Sequence, residues 1–272
     1  MAEGAEVVLL VCPSHVMRTL LTRLIGHLSR RVIIVNASKG LENKTLLRLS
    51  QVEREVIPAE LGHRHVTLSG PSFAFEVASE LPTVVTVASE SGEVAEVIQE
   101  LFSTDYLRVY THDDIIGVEL GGALKNVIAI ATGMIDGLGL GYNTRAALIT
   151  RGLAEITRLG AALGSRPETF SGISGLGDLV LTCTGELSRN RQVGLRIGRG
   201  ETLDRITGQM HSVAEGIRTT EAAYQLAKKH DIYMPITEQV FHILFEGRSV
   251  RQSLDELMTR ELKTEYENNR SW

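Results

Sequence analysis

Residues 115–134 read IIGVELGGALKNVIAIATGM, a run dominated by Ala, Gly, Ile, Leu and Val. This composition predicts a long helix that is apolar on nearly all sides, and such a helix is normally buried. The run also marks a change of pattern, because strand-like segments precede it and helical patterns follow it. We therefore expect two domains, residues 1–112 and residues 113–272.

Short β-branched runs alternate with helix-like stretches before residue 112. The predicted strands are residues 7–11, 31–35, 66–68, 83–88 and 107–110. The predicted helices are residues 15–28, 71–79 and 92–102. The strand segments are apolar without alternation, which is typical of a parallel sheet covered on both faces. The first domain is therefore predicted to be a mostly parallel α/β sheet.

The second domain is predicted to be all-helical. Its predicted helices are residues 115–134, 144–163 with Asn143 as N-cap, 219–230 and 236–245. Glycine-rich stretches at residues 137–141 and 172–178 predict tight turns between helices. The fold class is thus α/β plus all-α.

Composition places the chain among ordinary globular proteins. Its 272 residues are 43% hydrophobic and 22% charged, and the formal net charge is −5. An acidic chain has no broad surface for nucleic acid or anionic lipid, so neither partner is expected. Cys12 and Cys183 lie in no metal-ligand or disulfide spacing, and the chain opens with no basic, signal-like segment. We expect a cytoplasmic protein without a metal or an integral membrane contact.

Lys125 stands in the middle of the apolar run. Burial disfavours an ammonium and lowers its pKa toward the range in which lysine accepts a proton, which the oxidation of an alcohol requires. The functional interpretation is a general base. The structural alternative is a lysine that reaches solvent or pairs with Glu119 or Asp114.

Lys39 and the segment 70–74 (GPSFA) each follow a predicted strand. Ligands of open α/β sheets bind at the carboxyl ends of the strands, so these positions suit a phosphate or a reacting oxygen. A solvated loop lysine and an ordinary strand-to-helix turn are the alternatives.

Ser188, Arg189, Asn190 and Arg191 supply hydroxyl, guanidinium and amide donors within four residues. This set is suited to grip a phosphate, although a short basic turn is more often a solvated surface. Asp178 orients a substrate hydroxyl in the functional interpretation and caps a helix in the structural one. The sequence has no GxGxxG, GxSxG, HExxH or P-loop pattern.

These segments together resemble the NAD(P)-dependent sn-glycerol-3-phosphate dehydrogenase family of bacterial type. The resemblance extends from about Glu6 to near Glu265. It rests on residues 39–42 (KGLE), 70–74 (GPSFA), 117–127 (GVELGGALKNV), 143–152 (NTRAALITRG), 175–179 (GLGDL) and 187–191 (LSRNR).

The resemblance implies reversible hydride transfer between glycerol 3-phosphate and NAD or NADP, yielding dihydroxyacetone phosphate and serving phospholipid synthesis. Lys125 would be the proton acceptor. The implied substrate contacts are Lys39, Gly70, Ser72, Lys125, Asp178, Ser188, Arg189 and Asn190. The implied cofactor contacts are Lys39, Ala74, Arg189, Val213 and Glu215.

One departure from the family pattern concerns the front of the sheet. The resemblance implies a Rossmann-like dinucleotide-binding domain that is only partly present in this sequence. Family members begin with a strand, a Gly-rich turn and a helix, whereas the match here starts at the fourth strand. We therefore expect an unpaired apolar edge at residues 7–11 and weakened cofactor binding. The hypothesis is that Met1 is a late start within a longer gene, which sequencing of the native N-terminus would test.

Two alternative functions are retained. A catalytically impaired relative would act as a phosphate-metabolite binder or a dimer partner. A β-hydroxyacid-type dehydrogenase would share the layout and the lysine, but not the Gly70 and Ser188 segments. A homodimer is expected from the apolar helices of the second domain.

Overall fold

The computed structural model describes residues 2–210, 214–262 and 264–265 of the chain. Within these residues the first part of the chain forms one five-stranded sheet with the strands in sequence order. The strands are β1 (Val7–Leu10), β2 (Ile33–Asn36), β3 (Arg64–Ser69), β4 (Thr83–Ala88) and β5 (Leu107–His112).

The sheet is mostly parallel, as predicted. Strands β1, β2 and β3 pair in parallel, as do β4 and β5, and only β3 and β4 run antiparallel. The register places Val35 of β2 opposite Val66 of β3, and both side chains are fully buried. Strand β1 pairs only with β2 among the described residues. Leu9 of this strand and Val11, which directly follows it, are both exposed. This is the apolar edge expected from the sequence.

Twelve α-helices are found in the described residues. Those of the sheet region are α1 (Met17–Leu24), α2 (Leu49–Val56), α3 (Ala74–Ala78) and α4 (Gly92–Phe102). The others are α5 (Ile115–Leu138), α6 (Gly141–Ala162), α7 (Asp178–Thr184), α8 (Arg189–Gly198), α9 (Leu203–Gln209), α10 (Glu215–Lys229), α11 (Pro235–Glu246) and α12 (Val250–Met258).

Helix α5 is the centre of the helical region. It packs against α6, α7, α8 and α10, and its side chains form the middle of the largest apolar core. By length and hydropathy alone α5 could cross a membrane, but 89% of its most apolar window is buried inside the protein.

Several predicted helix bounds were wrong. Asn143 is not an N-cap, because α6 already begins at Gly141 and Asn143 lies within its first turn. The stretch 71–79 is helical only over α3, since Phe73 is still extended. The stretch 172–178 is not a simple tight turn, because one π-type turn, Ile173–Gly177, runs directly into α7.

Helices α5 and α8 approach so closely that only glycine fits between them. A Cβ added at Gly194 of α8 would overlap the carbonyl oxygen of Ile130, and one added at Gly133 of α5 would overlap that of Arg191. Glycine has low helix propensity. The glycines that permit this packing are therefore also the reason that α8 was not predicted from the sequence. The contact fixes the start of α8 beside the middle of α5.

A partly buried ion pair joins the sheet region to α5. The Glu119 carboxylate accepts hydrogen bonds from Arg48 Nη1 at 2.5 Å and from Ser50 N at 2.8 Å. It thereby satisfies a free N–H group at the start of α2 and holds that helix against α5.

Candidate functional site

The carboxyl ends of β2 and β3 meet the middle of α5. Lys39 follows β2 after two residues, Gly70 follows β3 directly, and Lys125 lies on the facing part of α5. The end of a parallel sheet is where such folds bind ligands, because helices and loops leave a crevice there. The structure therefore brings three of the predicted site residues to one edge.

Lys125 is 6% exposed and bonds to two side chains of α7. Its Nζ donates to Asp178 Oδ1, and it donates to Thr182 Oγ1 at 2.9 Å. The structural alternative, pairing with Glu119 or Asp114, is not what the structure contains. Asp114 instead accepts from Gly117 N and Thr169 Oγ1.

Asp178 connects the two predicted lysines. Its carboxylate is 1% exposed, and its second oxygen, Oδ2, accepts from Lys39 Nζ at 2.7 Å. Lys39 keeps 23% of its side chain exposed, so it reaches solvent at this edge of the sheet. One carboxylate therefore holds two amines, which leaves this small region with an excess positive charge when both lysines are protonated.

Burial dominates the electrostatics of Lys125. Loss of solvation, together with repulsion from Lys39, lowers the pKa of Lys125 from its ordinary 10.5 to about 7, although Asp178 opposes the change. An amine with a pKa near neutral can both accept and return a proton under physiological conditions.

Gly70 shapes the wall beside Lys39. Its backbone has φ of 142°, a conformation that side-chain-bearing residues rarely adopt, and a Cβ would come within 3.0 Å of Val85 Cα. The Gly70 carbonyl oxygen accepts from Lys39 Nζ and from Ser72 Oγ, each at 3.1 Å. Ser72 thus lies at the same edge, whereas Ala74 is exposed at the start of α3.

The residues that the sequence predicted to bind a phosphate lie at the start of α8. Ser188 caps the helix by accepting from Arg191 N, and its hydroxyl hydrogen remains available as a donor. Arg189 is exposed and has no ion-pair partner among residues 2–210, 214–262 and 264–265. Arg191 instead pairs with Asp136.

Asn190 ties this turn to the lysine helix. Its Nδ2 donates to Asn126 Oδ1 at 2.8 Å, and its Oδ1 accepts from Gly216 N at 2.9 Å. One amide hydrogen is left for another partner. Because Asn126 follows Lys125, this hydrogen bond attaches the α8 turn to α5 one residue from the buried amine.

Glu215 lies at the start of α10, facing the loop after β1. Its Oε2 accepts from Ser14 Oγ at 2.7 Å, while Oε1 is buried with no hydrogen-bond partner in the described part of the chain. A buried carboxylate oxygen normally has a partner, so Oε1 is an exception among the described residues. Val213, the other late cofactor prediction, lies outside the described residues.

Thr182 is a site residue that the sequence interpretation missed. Its Oγ1 donates to the Asp178 carbonyl oxygen at 2.6 Å and receives the Lys125 hydrogen bond. The available signal was its position four residues after Asp178, which places both side chains on one helix face. That signal required α7 to be predicted as a helix.

The sheet edge, with a buried amine where the helical region meets it, defines a protein of the dinucleotide-binding dehydrogenase class. Residues 1–95 match the family model for the NAD-dependent glycerol-3-phosphate dehydrogenase N-terminus. Residues 114–255 match the model for the C-terminus of the same family. The chain belongs to the NAD-dependent glycerol-3-phosphate dehydrogenase family.

Curated relatives agree with this assignment. The chain is 57% identical to glycerol-3-phosphate dehydrogenase [NAD(P)+] of Citrifermentans bemidjiense over 97% of this chain and 78% of that protein. It is 55% identical to the enzyme of the same name from Syntrophotalea carbinolica, over 98% of this chain and 80% of that protein.

Solved structures share the fold. The crystal structure of glycerol-3-phosphate dehydrogenase from Coxiella burnetii is 43% identical, with a TM-score of 0.89 over 94% of this chain and 78% of that one. A D-mandelate dehydrogenase with NADH and anilino(oxo)acetate, at 12% identity and a TM-score of 0.52 over 94% of this chain and 78% of that one, shares the fold alone. The family assignment sets aside the β-hydroxyacid-type alternative.

Proposed function

We propose that this chain interconverts sn-glycerol 3-phosphate and dihydroxyacetone phosphate with NAD or NADP, and that Lys125 is the proton acceptor. The observation that carries this proposal is the buried Lys125 Nζ, bonded to Asp178 and Thr182 at the carboxyl edge of the sheet. Membership of the family supports the reaction. The roles of individual residues rest on the geometry of the site.

Lys125 would accept the proton of the substrate C2 hydroxyl during oxidation and return it to the carbonyl oxygen during reduction. A pKa of about 7 suits both directions, because the neutral and charged forms are then both populated. Asp178 would hold the ammonium that forms, since its carboxylate already contacts Lys125 and Lys39. Thr182 would orient the amine through its own hydrogen bond.

The phosphate end would be held at the start of α8. Arg189 is exposed and has no ion-pair partner among the residues that the structure describes, and a guanidinium can bond two phosphate oxygens at once. Ser188 and Asn190 each retain one donor hydrogen there. Gly70, Ser72 and Lys39 would complete the substrate contacts at the sheet edge.

The nicotinamide end of a dinucleotide would be held by Glu215, Lys39, Ala74 and Arg189. The buried Oε1 of Glu215 has no partner among the described residues, and a carboxamide donor would satisfy it. Lys39, Ala74 and Arg189 would supply further contacts, and Val213 is proposed from the sequence alone. When bound, the nicotinamide supplies the hydride acceptor or donor.

Turnover and substrate binding test this proposal separately. We expect oxidation of NADH or NADPH that depends on dihydroxyacetone phosphate, and calorimetric binding of glycerol 3-phosphate. Arg189→Ala should weaken that binding about tenfold or more, because a charge-assisted pair is lost. Arg251→Ala, a matched change at an exposed arginine on α12, should not alter it.

The outcomes distinguish the alternatives. Binding that depends on Arg189 without any turnover would favour the non-catalytic metabolite binder. Absence of both binding and turnover in a folded chain would contradict the proposal as a whole.

We also propose a division at residues 1–112 and 113–272, a cytoplasmic location and a homodimer. The end of β5 at His112 and the start of α5 at Ile115 support the division. Two free cysteines are in keeping with a reducing compartment. Sedimentation of the purified chain would test the dimer.

A further inference from the structure

A second polar cleft lies at the far end of α5. It has a volume of about 500 Å³ and is bounded by the last turn of α5, the first turn of α6 and one side of α8. This volume falls within the range of small-molecule sites, which is roughly 300 to 1,000 Å³. The cleft is therefore large enough for a metabolite.

Three arginines line the cleft: Arg145, Arg191 and Arg199. They outnumber the two lining carboxylates, Asp136 and Glu186, so the formal charge of the wall is positive. Clustered guanidinium groups are the side chains best suited to planar oxyanions, because each offers paired donors in a fixed plane.

Asp136 holds two of these arginines in place. Its Oδ1 accepts from Arg145 Nε at 2.9 Å, and its Oδ2 accepts from Arg191 Nε at 2.9 Å and Nη2 at 2.7 Å. Arg145 also donates through Nη2. Both side chains thus use one edge of the guanidinium, and the Nη1 groups have no partner within the part of the chain that the structure describes. These two Nη1 groups are therefore held in fixed positions from which they can donate to a bound ligand.

Two further features add to this arrangement. Helix α6 has no side-chain cap and no acidic residue in its first turn, and Gly141 and Tyr142 of that turn line the cleft. The Tyr142 side chain is 81% exposed at the rim, with the Arg145 guanidinium 5.1 Å from its ring centre. An apolar ring beside the cations suits the organic part of a phosphate ester.

The cleft is separate from the site around Lys125. Asp136 follows Lys125 by eleven residues on the same helix, which corresponds to about 16 Å at 1.5 Å per residue. Of the residues that the sequence predicted to grip substrate or cofactor and that the structure describes, only Arg191 lines the cleft, and its Nε and Nη2 are paired with Asp136. A ligand bound there would contact α5, α6 and α8 without touching the reacting atoms.

We propose that this cleft is a second anion site that binds a phosphate-bearing small molecule through Arg145, Arg191 and Arg199. Arg199 is the sharpest residue to test, because it is exposed and has no ion-pair partner among the described residues. Its replacement breaks no described contact that holds the fold together.

The test uses inorganic phosphate, calorimetry at low ionic strength and an Arg189→Ala background that weakens phosphate binding at the substrate site. We expect this variant still to bind phosphate. Adding Arg199→Ala should weaken the remaining binding about fivefold or more, and adding Arg251→Ala should leave it unchanged. Arg199→Ala alone should leave the Michaelis constants of the dehydrogenase reaction unchanged.

Two results would overturn this proposal whatever the outcome for the dehydrogenase reaction. One is loss of all phosphate binding in Arg189→Ala alone. The other is phosphate binding that does not change when Arg199 is replaced, together with a change of the molecular mass in solution in Arg199→Glu. The cleft would then be an interface between copies of the chain.

Discussion

The Asp178 carboxylate accepts a hydrogen bond from the Lys125 ammonium, although the two residues lie 53 positions apart and both are almost fully buried. Removing one member of a buried ion pair leaves the other charge without compensation, so such pairs are strongly coupled to stability and to pKa. The pair also lies where the helical region meets the sheet edge, which makes it the natural centre of the chemistry.

Replacement of Lys125 by Ala should reduce turnover by about a thousandfold or more, because no other described amine contacts Asp178 Oδ1. Binding of glycerol 3-phosphate should fall only modestly, since the phosphate contacts at α8 remain. Steady-state kinetics and calorimetry on the same preparation would check both values. Lys229→Ala, at the exposed end of α10, is the control, and near-normal turnover in Lys125→Ala would place the base elsewhere.

The reaction should depend on pH in opposite senses in its two directions. Burial lowers the pKa of Lys125 to about 7, so the neutral form needed for alcohol oxidation predominates above that pH. For oxidation, kcat/KM should rise with pH up to about 7 and then level off. For reduction of dihydroxyacetone phosphate it should decline above about 7. A profile for oxidation that is flat from about pH 6 to 9 would contradict this assignment.

Lys39 should tune the base as well as bind ligands. Its positive charge lowers the pKa of Lys125, so Lys39→Met should raise that pKa and move the rising limb of the oxidation profile to higher pH. The comparison is the pH dependence of residual kcat/KM in Lys39→Met and in Lys44→Met, an exposed lysine nearby. Only the first should move the midpoint, and an unchanged midpoint would limit Lys39 to binding.

The glycine contact between α5 and α8 should be intolerant of a methyl group. Gly194→Ala would drive a Cβ into the Ile130 carbonyl oxygen and should lower the free energy of unfolding by about 3 kcal/mol. Gly208→Ala in α9 meets nothing within 4 Å and should be neutral or stabilising by up to about 1 kcal/mol. Urea denaturation of both variants would reveal whether close packing, rather than glycine content, determines the result.

Glu155 should make stability depend on pH. It is buried on α6 and accepts from Ile236 N, Thr237 N and Thr237 Oγ1 at the start of α11. Loss of solvation raises the pKa of Glu155 from 4.5 to about 7, so between these values the folded state binds more protons than the unfolded state. Its contribution to stability is therefore complete below about pH 4.5 and is lost as the pH rises through about 7.

A Gln at this position does not titrate. The free energy of unfolding of the wild type, relative to Glu155→Gln, should therefore fall by about 3 kcal/mol between pH 4.5 and 7.5. Denaturation at several pH values measures this difference, and Glu93→Gln on the surface of α4 is the matched control. A difference that does not vary with pH would mean that Glu155 keeps an ordinary pKa.

The sequence by itself determined that a sheet region is followed by a helical region, and it identified the side chains that are able to take part in the chemistry. Unbroken apolar runs predicted the strands, and β4 and α4 were predicted with the bounds that the structure has, because their patterns are local. The position of Lys125 in an apolar run made a buried amine the functional interpretation, beside the alternative of a lysine that reaches solvent or pairs with Glu119 or Asp114. Burial of α5 follows from its composition, so no knowledge of its neighbours was needed.

Only the tertiary structure decided which groups meet. Lys39 and Asp178 are 139 residues apart, and nothing in the periodicity of either segment specifies their contact. Pairing of Lys125 with Asp178 rather than Glu119, and the participation of Thr182, depend on how α7 packs on α5. Likewise, α8 is a helix in spite of its glycines because those glycines admit the α5 backbone. Local sequence carries propensity and burial, whereas partner choice is a property of long-range packing.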